Sequence, residues 1–166
     1  MAHKQDIDKE LSLPKRVWIF QGNPQKYEVY NSLIDEKLKE DTWLVSRYQS
    51  EIRIGDIALI WKAGQGSGIY AVGEVLTNPQ LMYDPPESRM YWKSEADKNK
   101  KAVRVLISYK LKLRLTNALF RKELGVISGL RNMEILKQPQ GTNFRVNPSE
   151  WLIICDLLKR KYNFVI

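Results

Sequence analysis

The sequence predicts a single α+β domain, and three stretches carry that reading. Residues 56–62 (DIALIWK) and 68–76 (GIYAVGEVL) are apolar runs of strand length separated by Gly64, Gly66 and Gly68, the pattern of two antiparallel strands joined by a loop. Residues 102–115 alternate Val103, Val105, Ile107, Tyr109, Leu111, Leu113 and Leu115 with Arg104, Leu106, Ser108, Lys110, Lys112 and Arg114, which is a half-buried strand with a basic outer face. Asn147, Pro148 and Glu150 open a final amphipathic helix with cap, first-turn proline and capping-box glutamate in place.

The remaining elements follow in order. Residues 1–14 are polar, end at Pro14 and read as a flexible arm, leaving residues 15–166 as one domain. Residues 15–20 (KRVWIF) form the first strand, too apolar for anything but an interior position. Gln21, Gly22, Asn23 and Pro24 break it, and Asn23 as N-cap with Pro24 behind it predicts a helix to Glu40 with Tyr27, Tyr30, Leu33 or Ile34, and Leu38 on one face. Residues 80–101 carry Pro85, Pro86 and many charges and read as a long loop with one helical turn. A short helix over 119–124 stops at Gly125, residues 130–136 are irregular, and 138–146 make a turn and a strand. In the last helix Trp151, Ile154, Leu157 and Leu158 face the core, while Lys159, Arg160 and Lys161 complement its C-terminal end.

Composition bounds the function. Twenty-seven Lys and Arg against 19 Asp and Glu give a net charge of +8, which favours a polyanionic partner. Five Trp and eight Tyr exceed what a minimal core needs and suit flat ligands. The one cysteine, Cys155, excludes an internal disulfide, and its apolar neighbours suggest a buried thiol in a reducing compartment. No signal-peptide core or membrane-length apolar stretch occurs, so the expected location is the cytoplasm and no membrane partner is expected. With His3 the only histidine there is no histidine base in the folded part and no zinc pattern, and no Walker loop is present. Gly64-x-Gly66-x-Gly68 imitates a dinucleotide fingerprint, but a strand follows it instead of the helix that would aim amides at a phosphate. The expectation is a binding module without metal or cofactor.

The stretches VWIFQGNPQKY (17–27), WLVSRYQ (43–49), GDIALIWKAG (55–64), GIYAVGEV (68–75), LRNMEIL (130–136), GTNF (141–144) and NPSEW (147–151) together resemble the EVE domain of the PUA-like superfamily. The resemblance spans about residues 15–160. It implies a twisted, mixed, β-barrel-like sheet flanked by helices, related to the YTH and ASCH readers, and recognition of a modified base, often a cytosine derivative in DNA, swung into an aromatic-walled pocket. Such a reader needs a stacking wall, polar groups for the base edge and a basic rim for the backbone. Trp43, Tyr48, Trp61 and Tyr70 are the wall candidates, Gln21, Asn23, Ser46 and Asn143 the edge candidates, and Arg47, Lys62 and Arg131 the rim, with Lys110 and Lys112 as further phosphate contacts. Trp61 and Tyr70 sit in apolar strands and equally suit the core, and Trp18 and Trp151 suit it better than a site. Two partner readings stay open: a modified-base DNA reader, prokaryotic and linked to a restriction or defence system whose effector nuclease is another chain, and an RNA-binding module of the PUA type.

Overall fold

In the computed structural model, which describes residues 15–166, one sheet accounts for eight strands: β1 (Val17–Gly22), β2 (Glu40–Leu44), β3 (Ile57–Lys62), β4 (Gly68–Val75), β5 (Gln80–Met82), β6 (Ala102–Lys112), β7 (Leu119–Phe120) and β8 (Asn143–Val146). The predicted arm over residues 1–14 lies outside the described residues. The main path through the sheet is β2-β6-β4-β3-β1-β8, with β5 beside β6 and β7 beside β4. Only β1 and β3 pair in parallel, Val17 opposite Ile57 through Gly22 opposite Lys62; the other pairs are antiparallel. The helices are α1 (Val29–Ile34), α2 (Pro86–Arg89), α3 (Glu95–Lys98), α4 (Arg121–Leu124), α5 (Glu134–Lys137) and α6 (Pro148–Tyr162).

Strand β3 is the predicted apolar run, and its continuity has a simple cause: both faces of it are buried. Ile57, Leu59 and Trp61 point into one apolar layer with Val17, Ile19, Phe144, Ile154 and Leu158. Ala58 and Ile60 point into the other with Trp18, Phe20, Trp43, Val105 and Ile107. Helix α6 covers the first layer as its sequence requires: Asn147 Oδ1 accepts from Glu150 N at 2.8 Å, Glu150 Oε1 accepts from Asn147 N at 3.0 Å, and Asn163 ends the helix with φ of 51°.

The structure adds β7 at the start of the helix expected over 119–124 and α5 within the segment expected to be irregular, and two further regions differ more from the sequence reading. The helix expected from Asn23 to Glu40 is confined to α1. Asn23 Oδ1 accepts from Gln25 N at 2.9 Å, a local turn that competes with helical capping. Tyr27 then pairs as an isolated bridge with Trp92, and the chain is extended again at Asp35. After the turn that follows comes β2, which the sequence reading lacks because its polar Glu40-Asp41-Thr42 start disguises it. The segment expected as a long loop contains β5, α2 and α3, and folds back so that Asp84 and Trp92 lie against Arg104.

Asn143, expected on a base edge, instead joins the two outer strands of the path. Its side chain is buried; Oδ1 accepts from Ser46 N at 2.9 Å and Arg47 N at 3.2 Å, and Nδ2 donates to Leu44 O at 3.0 Å. One amide thus ties the start of β8 to the chain leaving β2. Asn143→Ala leaves three backbone groups without these partners. The three bonds are part-buried, so at about 1 kcal/mol net for each the variant is expected to lose roughly 2–3 kcal/mol in urea denaturation. A loss below ~1 kcal/mol would show that the closure does not depend on this amide.

Candidate functional site

The parallel strands β1 and β3 end side by side, and the segments that follow them diverge around a cleft of roughly 690 Å³. Its lining comes from the end of β1 and the Asn23–Tyr27 turn, from Thr42–Leu44 of β2, from Ala63–Gln65 after β3, from Trp92 and Arg104, and from the turn at residues 139–142. Gly22 lets Val29 and Trp43 pack against the end of β1: a Cβ there would lie 2.5 Å from Val29 Cγ2 and 3.1 Å from the Trp43 ring. A cleft of this size, bounded by rings and a few placed polar groups, is of the kind that holds a small planar ligand.

Three rings form one corner of the cleft. Tyr27 stands edge-on to Trp43, centroids 6.2 Å apart, and lies 4.8 Å from Trp92 at a tilted angle. Each is held by its polar tip. Trp43 Nε1 donates to Tyr109 Oη at 2.9 Å, Tyr27 Oη donates to Asp41 at 2.7 Å, and Trp92 Nε1 donates to Asp84. Opposite the rings, Gln21 Nε2 donates both to Pro139 O at 2.9 Å and to Gly141 O at 2.7 Å. Both amide hydrogens are thereby used, which fixes the orientation of the group and leaves its carbonyl oxygen as an acceptor.

Behind the rings lie two buried carboxylates and one buried guanidinium. Asp84 accepts from Thr42 Oγ1 and Trp92 Nε1, and from Arg104 Nη1 at 3.0 Å. Arg104 also donates to Lys100 O at 3.4 Å, while its Nε has no partner among the described residues. This corrects the reading of Arg104 as part of a solvated basic face: the returning segment covers it and brings its counter-ion. A buried pair of this kind contributes little net stability, but it fixes geometry, here the placement of Trp92 and Thr42.

Of the predicted base-pocket residues, Gln21, Asn23 and Trp43 line the cleft. Trp61 and Tyr70 do not: each is buried, Trp61 in the layer under α6 and Tyr70 with its hydroxyl donating to Gly66 O at 2.6 Å. Tyr48 lies away from the cleft with φ of 60°, between Trp18 at 5.1 Å and the Arg145 guanidinium at 4.4 Å, its hydroxyl bonded to Glu134. Ser46 is exposed on the loop after β2 and Asn143 is the closing amide, so neither meets the cleft.

The cations are dispersed. Arg47 is paired with Glu134 at 3.1 Å and Lys62 donates to Gln65 O at 2.6 Å. Lys112 donates to Asp35 O and Leu38 O, and burial lowers its pKa, so it serves the turn between α1 and β2 in place of a phosphate. Lys110 is 3.9 Å from Glu74 on the outer sheet face, and Arg131 lines a different cleft. Tyr27 and Trp92 were missed. A tryptophan in a charged, aperiodic segment has no core face to belong to, and that was the available signal for Trp92.

Burial pushes Asp41 up to about 6, with the charge of Asp84 adding to the effect and the Tyr27 hydrogen bond opposing it. Burial, then Asp41, in turn holds the Tyr27 hydroxyl protonated far above its usual range. The folded pKa of Asp41 lies above the unfolded one, so folding favours its protonated form. That contribution is complete below pH ~4 and is lost as pH rises through 6, a change on the order of 3 kcal/mol. Urea denaturation of the parent and Asp41→Asn between pH 4 and 7 checks this: the variant should lack this downward component of stability with pH. Identical pH profiles for the two proteins would refute it.

Comparison with known proteins bears on the fold and the family. Among curated proteins none matches the chain. Among solved structures, a hypothetical protein from Leishmania major superposes with a TM-score of 0.61 at 20% identity, covering 89% of this chain and 96% of that one. A protein from Rhodopseudomonas palustris gives 0.58 at 18% identity, covering 86% and 92%. Human THYN1, solved in complex with DNA containing 5-methylcytosine, gives 0.59 at 13% identity, covering 86% and 97%. These likenesses fix the fold as a curled, mixed sheet flanked by helices. The EVE domain family matches residues 16–157, nearly all of the described chain, and the protein belongs to that family.

Proposed function

We propose that the domain reads a modified cytosine in DNA by taking the base out of the helix into the cleft at the ends of β1 and β3. The observation that carries this is the pairing of the Tyr27–Trp43–Trp92 corner with Gln21 held in one orientation. A cytosine presents its exocyclic amine as donor, and Gln21, which lines the cleft with both amide hydrogens engaged, keeps its carbonyl oxygen as the acceptor for it. The carboxamide of Asn23, whose oxygen is engaged by Gln25 N, adds a donor for the remaining base-edge acceptors. Half-buried Trp92, with the edges of the buried Tyr27 and Trp43 rings, supplies the apolar surface for the base and a methyl group. That a fold relative, human THYN1, was solved with DNA containing 5-methylcytosine supports the same ligand class.

The domain acts by binding alone in this reading. In a restriction or defence setting, cleavage would belong to an effector nuclease on another chain, in the cytoplasm. RNA is the competing polymer, and matched RNA strands belong in the same measurement.

Fluorescence anisotropy with duplexes that differ only in one 5-methyl group tests the proposal. The parent should prefer the modified duplex. Trp92→Ala, compared only if it melts like the parent, should lose about 1–3 kcal/mol, roughly ten- to a hundredfold, together with the preference. A folded Trp92→Ala that keeps the parental affinity and ratio would place the pocket elsewhere, and tighter binding to the matched RNA would favour the RNA reading.

A further inference from the structure

We infer that a second cleft, sharing the glycine loop with the first, binds phosphates of the same nucleic-acid strand, so that the loop is a ridge over which the backbone passes. The polyanion's identity rests on the base-reading proposal. The cleft itself, about 620 Å³, is lined by Gly66, Ser67, Phe120, Arg121, Lys122 and Arg131, among others. Gly64 and Gln65 line the base cleft and Gly66 and Ser67 line this one, so the two are separated by the thickness of a single turn.

Charge points to an anion. Among the described residues Arg121, Lys122 and Arg131 form no ion pair, while the carboxylates of neighbouring elements are engaged elsewhere: Glu123 with Lys161 at 2.9 Å, Glu134 with Arg47 at 3.1 Å and with Arg145 N at 2.6 Å. Three cations around one concavity repel each other until an anion sits between them. Phe120, with the Lys122 ammonium 5.9 Å from its ring centre, offers an apolar face beside them for a sugar.

The ridge is rigid. Ser67 N donates to Gly64 O at 3.1 Å, Tyr70 Oη to Gly66 O at 2.6 Å, Lys62 Nζ to Gln65 O at 2.6 Å and Arg121 N to Ser67 O at 2.8 Å. Positive φ at Gly64 (79°) and Gly66 (67°) allows the tight turn. Lys62 and Tyr70 thus bear on the site by holding this loop. Four residues span at most ~14 Å, a distance one strand of a duplex covers in about four nucleotides. A strand whose flipped base occupies the first cleft therefore reaches the second with nearby phosphates.

The test uses the full chain, the same modified and plain duplexes, and Lys122→Gln/Arg131→Gln, both exposed side chains. Arg121→Gln is measured separately because its guanidinium also reaches Leu136 O at 3.4 Å. The double variant should bind both duplexes about tenfold more weakly, with the modified-to-plain ratio intact and the log–log salt slope shallower by up to about 1.8. An unchanged slope and affinity overturns the inference, as does loss of the ratio along with affinity, which would make these residues part of base selection. A parent protein with no modified-base preference sinks the base-reading proposal instead, and the change in salt slope still decides whether this cleft holds phosphates.

Discussion

The buried carboxamide of Asn143 is the interaction on which the rest of the arrangement depends. The sheet path ends in β2 on one side and β8 on the other, and a curled sheet with open ends would leave backbone groups of both without partners. Asn143, at the start of β8, satisfies the last carbonyl of β2, Leu44 O, and two amides of the chain leaving it, Ser46 N and Arg47 N, with one side chain. It sits just after the turn at residues 139–142, so that the carbonyls of Pro139 and Gly141 come within reach of Gln21. The closure of the sheet and the orientation of the Gln21 amide are therefore set by neighbouring residues of one segment.

The second dependence runs through Asp84. The segment between β5 and β6 returns onto the sheet by packing Tyr91 and Trp92 against an apolar layer, and its position is fixed by the directional bonds that Asp84 accepts from Thr42, Trp92 and Arg104. Such a polar network gains geometry more than stability. What it fixes is the third ring of the aromatic corner, contributed by a segment that would otherwise be a solvated loop. The site is thus built from a rigid floor, β1 with β3, and a wall delivered from a distance of about 30 residues from the nearest floor strand.

Legibility followed the physics. Strands with both faces buried or with clean alternation, β3, β4 and β6, and the fully capped α6 were readable because their signals are local. Strand β2 was not, because Asp41 and Thr42 are buried only by partners remote in sequence, Tyr27 and Asp84. Of the residues lining the cleft, Gln21, Asn23 and Trp43 were legible as polar or aromatic residues beside a strand end. Tyr48 and Asn143 have the right chemistry in the wrong place, one taken by Arg145 and Glu134, the other by the chain leaving β2. The alternation of β6 located Arg104 on the face opposite Val105, but could not show that the following of Asp84 onto that face would bury it.

The most direct measurement is a crystal structure of the protein with a duplex carrying one 5-methylcytosine. The account predicts that this base alone leaves the helix and lies against the Trp43 and Trp92 rings, with its exocyclic amine donating to Gln21 Oε1. A base that stays stacked in the duplex, or one that lodges at the Trp18–Tyr48–Arg145 surface, would contradict it.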